Sequence, residues 1–179
     1  VTFAEGEIKM SDASAKPWAT NGHGNKRPHN IVNSLYLQAE ELEYHNVERF
    51  KRYEQVKAEC PEAETYLTDD ADIVVAAYGS TARLARSAVE TARSRGIKAG
   101  LVRPITLWPF PEKQIKAACA NAKRVLVTEM SMGQMVDDVK LAIECRLPVS
   151  FFGRTGGVIP KPSEILAQIV KLDEELKGE

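Results

Sequence analysis

Little in this 179-residue sequence points to a polyanion-binding, membrane-spanning or disulfide-stapled protein. Lysine plus arginine number 24 and aspartate plus glutamate 25, a formal net charge of -1. That balance leaves no broad cationic field for nucleic acid or anionic lipid. No apolar run approaches the roughly 20 residues that span a bilayer. Glu5, Glu7 and Lys9 interrupt the N-terminus too early for a secretory signal, so a cytoplasmic location is expected. The three cysteines, Cys60, Cys119 and Cys145, are odd in number and lack paired spacing, which argues against a disulfide framework. Without a CxxC pair the chain offers no iron–sulfur ligand set. Cys119 and Cys145 fall on the apolar faces of predicted helices, where packing is their expected role. His23, His29 and His45 lack metal-ligand spacing. The Gly-x-Gly-x-x-Gly dinucleotide fingerprint is missing from the first βα turn, and the P-loop pattern is missing altogether. The chain opens on Val1 rather than Met, the expectation for a truncated or processed polypeptide.

What is present is an alternation of short apolar runs with amphipathic segments, the pattern of parallel βαβ units. Ile73 to Tyr78 is continuously apolar, as a strand buried on both faces would be. Gly79 makes a turn, and Ser80 or Thr81 is expected to cap the next helix. Leu84, Ala85, Ala88, Val89 and Ala92 give that helix one apolar face, with Arg83, Arg86, Glu90 and Arg93 largely outside it. Gly96 ends it. A second strand, Ile97 to Arg103, leads into a proline-rich corner, Pro104 to Pro111. The next helix buries Ile115, Ala118, Cys119 and Ala122. Arg124 to Glu129 is a third strand, and the helix after Gly133 turns Met135, Val136, Val139 and Ile143 inward. Pro148 to Phe152 is a fourth strand, followed by the loop Gly153-Arg154-Thr155-Gly156-Gly157. Pro162 opens the last helix, with Ile165, Leu166, Ile169, Val170 and Leu172 as its core face.

Upstream the character changes. Residues 1 to about 34 are rich in Gly, Asn, Lys, Pro and Ser, without periodicity, and read as an extended arm. Leu35 to Cys60 carries Leu42, Val47, Phe50, Tyr53 and Val56 at helical spacing, and ends before Pro61. Two regions are therefore expected: residues 1–68 as arm and docking helix, and 69–179 as a compact α/β domain.

Four places can host chemistry or contacts. Gly79-Ser80-Thr81 lies between a strand and a helix N-terminus, where free N–H groups can meet an anion; plain capping is the simpler reading. Trp108 and Phe110, framed by Pro109 and Pro111, form a rigid aromatic corner that can stack a cofactor or plug a hydrophobic seam; interface packing is the commoner role. Glu129 closes a strand and can act as acid or base, or accept local N–H groups. Arg154, beside Gly156 and Gly157, can make a forked contact to a carboxylate or phosphate; the bland alternative is a solvated turn.

The segments Ala71 to Ser80 and Leu101 to Pro111 strongly resemble one family, the C-terminal part of the alpha-type subunit of 2-oxoacid:ferredoxin oxidoreductases. Lys16 to Ala19, Asn33 to Leu37 with Glu40 to Glu43, and Phe152 to Pro160 agree best with its branched-chain, 2-ketoisovalerate type. The resemblance implies an α/β fold like the C-terminal domain of transketolase, with a mostly parallel sheet of about five strands. It implies membership of an enzyme that converts a 2-oxoacid and coenzyme A into acyl-CoA, carbon dioxide and reduced ferredoxin. In that family thiamine diphosphate and magnesium are held by a Gly-Asp-Gly motif, usually on a beta-type subunit, and no Gly-Asp-Gly occurs here. The iron–sulfur clusters are likewise implied elsewhere in the holoenzyme. No catalytic, cofactor-binding or metal-binding residue carries over. A bracing, subunit-contacting role is the first expectation. The second is a binding module that takes coenzyme A or another anion at the Gly79 and Arg154 loops. A third, a free-standing nucleotide binder, lacks a phosphate fingerprint.

Overall fold

The computed structural model describes Lys16, Trp18, Thr20 and residues 22–178. Most of the expected arm, with Pro17 and Ala19 of the family-like segment, lies outside them. The chain divides into two units, Val1–Asn46 and Val47–Glu179. In the first, residues 22–37 hold neither helix nor strand. Turns there are local: the Asn33 side chain accepts the Leu35 N–H at 2.9 Å, and the rings of His23 and His29 stand 4.0 Å apart. Helix α1, Ala39–Glu59, runs from this unit into the second and buries no residue.

The second unit is built on a five-stranded sheet. In chain order its strands and helices are β1 (Ala63–Tyr66), β2 (Ile73–Ala76), α2 (Gly79–Ser94), β3 (Ala99–Pro104), α3 (Glu112–Ala118), β4 (Arg124–Glu129), α4 (Met135–Ala142), β5 (Val149–Gly153) and α5 (Pro162–Gly178). The spatial order is β1-β3-β2-β4-β5. β2 pairs in parallel with β3 and β4, and β4 with β5. The expected α/β fold with a mostly parallel sheet is therefore present.

Alternation along β2 explains the layers, because successive side chains leave a strand on opposite faces. Ile73 and Val75 join a core with Ala85, Val89, Ile165 and Ile169 of α2 and α5. Val74 and Ala76 join the other, with Ile115, Val136 and Val139 of α3 and α4. All four β2 side chains are fully buried, each larger one stabilising by about 1.5–3 kcal/mol relative to exposure. Sheet and helices thus form three layers, with the βα loops at the C-terminal ends of the parallel strands.

β1 was not foreseen. Its sequence, Ala-Glu-Thr-Tyr, is short and polar, and it pairs antiparallel with β3, Ala63 opposite Pro104 and Tyr66 opposite Leu101. The turn out of β1 comes so close to β3 that a Cβ on Gly100 would lie 2.5 Å from the Leu67 carbonyl oxygen; only glycine fits. Arg93 of α2 locks the same turn. Its guanidinium donates to the carbonyls of Leu67 and Ala99 and makes a forked pair with Asp70, at 2.6–2.9 Å. Arg93 stands outside the apolar stripe, as expected, yet its side chain is only 21% exposed.

Candidate functional site

Four loops leave the C-terminal ends of the parallel strands, the usual functional edge of an open α/β sheet. After β2, Gly79 adopts φ +55 and is already the first residue of α2. Tyr78 holds the N-cap position, with no side-chain hydrogen bond closing the helix end. The expectation that Ser80 or Thr81 caps α2 is corrected, because the helix starts before both. Ser80 is exposed, while Thr81 is buried in the first turn.

After β3 comes the proline corner. Phe110 is half-buried against the core under α3 and α4, whereas Trp108 is 57% exposed. Its ring meets Tyr53 of α1 edge-on, centroids 5.2 Å apart. The aromatic stripe of α1 is thus partly satisfied at Tyr53, leaving Phe50 and Val47 exposed.

After β4, Glu129 is completely buried. Its carboxylate accepts the Ser131 hydroxyl at 3.0 Å and the N–H groups of Gln134, Met135 and Val136 at 3.3, 3.0 and 3.1 Å. These N–H groups stand at the start of α4, which lacks a partner inside the helix there. A carboxylate is also what the positive end of a helix favours. Of the two readings open for Glu129, the local N–H acceptor matches the geometry. These carboxylate contacts all lie within its own loop and helix.

After β5, the Arg154 N–H donates to the Glu129 carbonyl at 3.1 Å. The Arg154 guanidinium pairs with Glu164 of α5, and its centre lies 5.9 Å from the Phe152 ring. Glu164 in turn accepts the Lys161 N–H at 2.8 Å. That backbone hydrogen bond, and then Arg154, holds its carboxyl below the usual glutamate value. The solvated-turn reading of Arg154 is corrected: the charge is matched ten residues downstream. Gly156 and Gly157 are exposed and both left-handed, φ +64 and +85. Gly153 sits under the β4 loop, where a Cβ would come within 2.5 Å of the Ser131 carbonyl oxygen.

Together these loops carry two charged side chains, Arg154, which is paired, and the exposed Lys161 next to the start of α5. Their tips are apolar: Leu107, Trp108, Met130, Met132, Val158 and Ile159 are all exposed. The edge therefore offers apolar contact surface rather than an acid–base pair. Among the described residues, no group of three or more His, Cys, Asp or Glu could hold a metal ion. Cys60 and Cys145 are exposed and Cys119 is buried, with burial pushing the Cys119 thiol up to about 11. The packing role expected for Cys145 is corrected: α4 stops at Ala142, and Cys145 stands in a left-handed turn beyond it. These donors do not fit the magnesium of thiamine diphosphate or an iron–sulfur cluster. Among the described residues no helix is long and apolar enough to cross a membrane.

The model of a family described as pyruvate:ferredoxin oxidoreductase core domain II matches residues 71–165. The chain is 41% identical over 152 residues to the ketoisovalerate oxidoreductase subunit VorB of Methanothermobacter thermautotrophicus, covering 85% of this chain and 43% of that protein. It is 42% identical over 103 residues to the 2-oxoglutarate synthase subunit KorA of Methanothermobacter marburgensis, covering 58% and 28%. The chain thus spans under half the length of these curated relatives. In fold it is similar to 2-oxoglutarate:ferredoxin oxidoreductase from Magnetococcus marinus, solved with 2-oxoglutarate, coenzyme A and succinyl-CoA bound. That likeness has a TM-score of 0.60 at 20% identity, over 80% of this chain and 25% of that one. A split-gene transketolase, in an inactive beta4 tetramer, matches with a TM-score of 0.52 at 17% identity, over 62% and 40%.

Proposed function

The chain belongs to the pyruvate:ferredoxin oxidoreductase core domain II family, and from that membership we propose that it is a non-catalytic assembly domain of a 2-oxoacid:ferredoxin oxidoreductase. The substrate of the whole enzyme is 2-ketoisovalerate, in line with the relative named above. The whole enzyme oxidises it with coenzyme A to acyl-CoA and carbon dioxide and passes electrons to ferredoxin. Thiamine diphosphate, magnesium and iron–sulfur clusters belong to other parts of that cytoplasmic complex, the thiamine site to a beta-type subunit. The segment before β1 connects this domain to the rest, and the sheet domain from β1 onward braces the cofactor-bearing parts.

One observation carries the reading: the loops at the C-terminal edge of the sheet hold few charges, chiefly the paired Arg154 and Lys161 beside α5, and are tipped with exposed apolar side chains. Apolar tips with few charges among them suit the buried centre of an obligate interface, where charged residues are depleted. The buried carboxylate at that edge is engaged by its own helix, so it stiffens the rim. The test is Leu107→Asp combined with Met132→Asp, made in the complete complex. Both side chains are exposed, so the melting temperature of this chain should hold. Subunit association, read by size-exclusion chromatography, should fall by roughly tenfold or more in affinity. Unchanged assembly together with unchanged turnover would sink the reading.

A further inference from the structure

The outer face of α2 and the strands β1 and β3 enclose a cleft of about 340 Å³. Gly79, Ala82, Arg83 and Arg86 line it from the helix, Glu64 to Tyr66 from β1, and Leu101 and Arg103 from β3. The spacing of Gly79, Arg83 and Arg86 is that of one helical face. In a chain of net charge -1, three arginines against one glutamate make this a cationic pocket. The arginines differ in how far they are engaged. Arg103 donates to Glu64 at 3.0 Å through one terminal nitrogen, while its Nε is buried without a hydrogen-bond partner. Arg86 lies over the Tyr66 ring at 4.2 Å and reaches Glu90 at 3.4 Å. Arg83 makes no hydrogen bond or ion pair to any described residue. At the mouth stands the start of α2, whose end no side chain closes. A buried donor left unmade is costly, and native proteins leave few. The volume falls at the lower end of small-molecule sites, and a diphosphate offers acceptors on several sides for forked guanidinium contacts.

We propose that this cleft binds the diphosphate group of a small molecule, held by Arg83, Arg86 and Arg103 and by the N–H groups that open α2. The site stands apart from the assembly reading and does not depend on it. Because the cationic charge comes from arginine, binding needs no metal. Diphosphate-bearing ligands share this group whether free or part of a nucleotide or coenzyme, so the probe is inorganic pyrophosphate, with ADP and coenzyme A as further arms.

Calorimetry on the full chain in the presence of EDTA should give saturable pyrophosphate binding that weakens as salt rises. Arg83→Ala and Arg103→Ala should each lower the affinity by roughly tenfold or more. Arg154→Ala, in the other loop, should leave it unchanged. Glu64→Gln should tighten binding by removing the lining carboxylate that competes for Arg103. ADP or coenzyme A binding more tightly than pyrophosphate would identify which molecule supplies the group. Three results overturn the proposal: no saturable binding, binding unaffected by both arginine variants while their melting temperatures hold, or binding lost on assembly of the complex. The last would mean that a neighbouring protein surface fills the cleft.

Discussion

The turn at Gly79 and the loop at Arg154 look alike in sequence and differ in structure. Each leaves the C-terminal end of a parallel strand, each contains glycine in a left-handed conformation, and each lies within a few residues of arginine. At the second loop a single arginine pairs with Glu164 and lies beside Phe152, although its Nε, like that of Arg103, is buried without a partner. At the first, arginines from α2 and β3 converge on a cleft with a single lining glutamate. The difference teaches that a glycine-rich turn with an arginine is not itself a site. What decides is whether the fold gathers more arginines into one cleft than it supplies lining carboxylates.

The comparison breaks first at Glu129, whose main chain supports the Arg154 loop. Glu129→Ala should cost about 3 kcal/mol or more, since it empties a buried position and leaves the N–H groups of Met135 and Val136 unsatisfied. Urea unfolding should show the loss, and hydrogen exchange should rise at the start of α4. A near-normal midpoint would mean that water replaces the carboxylate and that the loop holds itself. The next largest effect separates two arginines on the same helix. Arg93→Ala should cost about 2 kcal/mol through lost bonds to the Leu67 and Ala99 carbonyls, while Arg83→Ala should leave stability nearly unchanged.

Arg93 also sets a pH signature. Its side-chain hydrogen bond lowers the Asp70 carboxyl below 3.8. A carboxyl depressed by folding contributes stability that is fully present above its unfolded value and disappears as pH falls through the lower folded value. Asp70 should therefore lend stability at neutral pH and lose it below about pH 4. In Arg93→Ala this part of the acid slope should flatten. The smallest effect belongs to Arg154→Ala. The pair is partly exposed, and such pairs contribute little, so the melting temperature should drop by about 2 °C or less. A much larger drop would make the Arg154 loop, and not Glu129, the main strut of that side.

Much of the fold is legible because helix and strand periods differ. The continuous run Ile73 to Ala76 and the three-to-four spacing from Leu84 to Ala92 each mark one element and its buried side. β1 escapes because Ala-Glu-Thr-Tyr has no apolar alternation; its place comes from the antiparallel partner, far off in sequence. The capping of α2 is misread because a serine and a threonine after glycine look like caps, while the left-handed Gly79 lets the helix begin before them. The roles of Arg154 and Arg93 depend on carboxylates ten and 23 residues away, beyond any local pattern. Glu129 left a faint signal, a strand-ending glutamate a short glycine-containing loop before a helix. The arginine cleft left none, because Arg103 and Arg83 meet only once β3 lies beside β2.

The antiparallel placement of β1 also bears on the order in which the molecule comes together. β2, α2 and β3 form a unit whose contacts close short stretches of chain, so its entropic cost of closure is small. β1 precedes all of them in sequence, yet its partner is the last strand of that unit, and Arg93, the lock on its exit turn, sits near the end of α2. It has nothing to pair with until that unit exists. β1 is accordingly the latch of this side of the sheet: last to close during folding and first to open during local fluctuation.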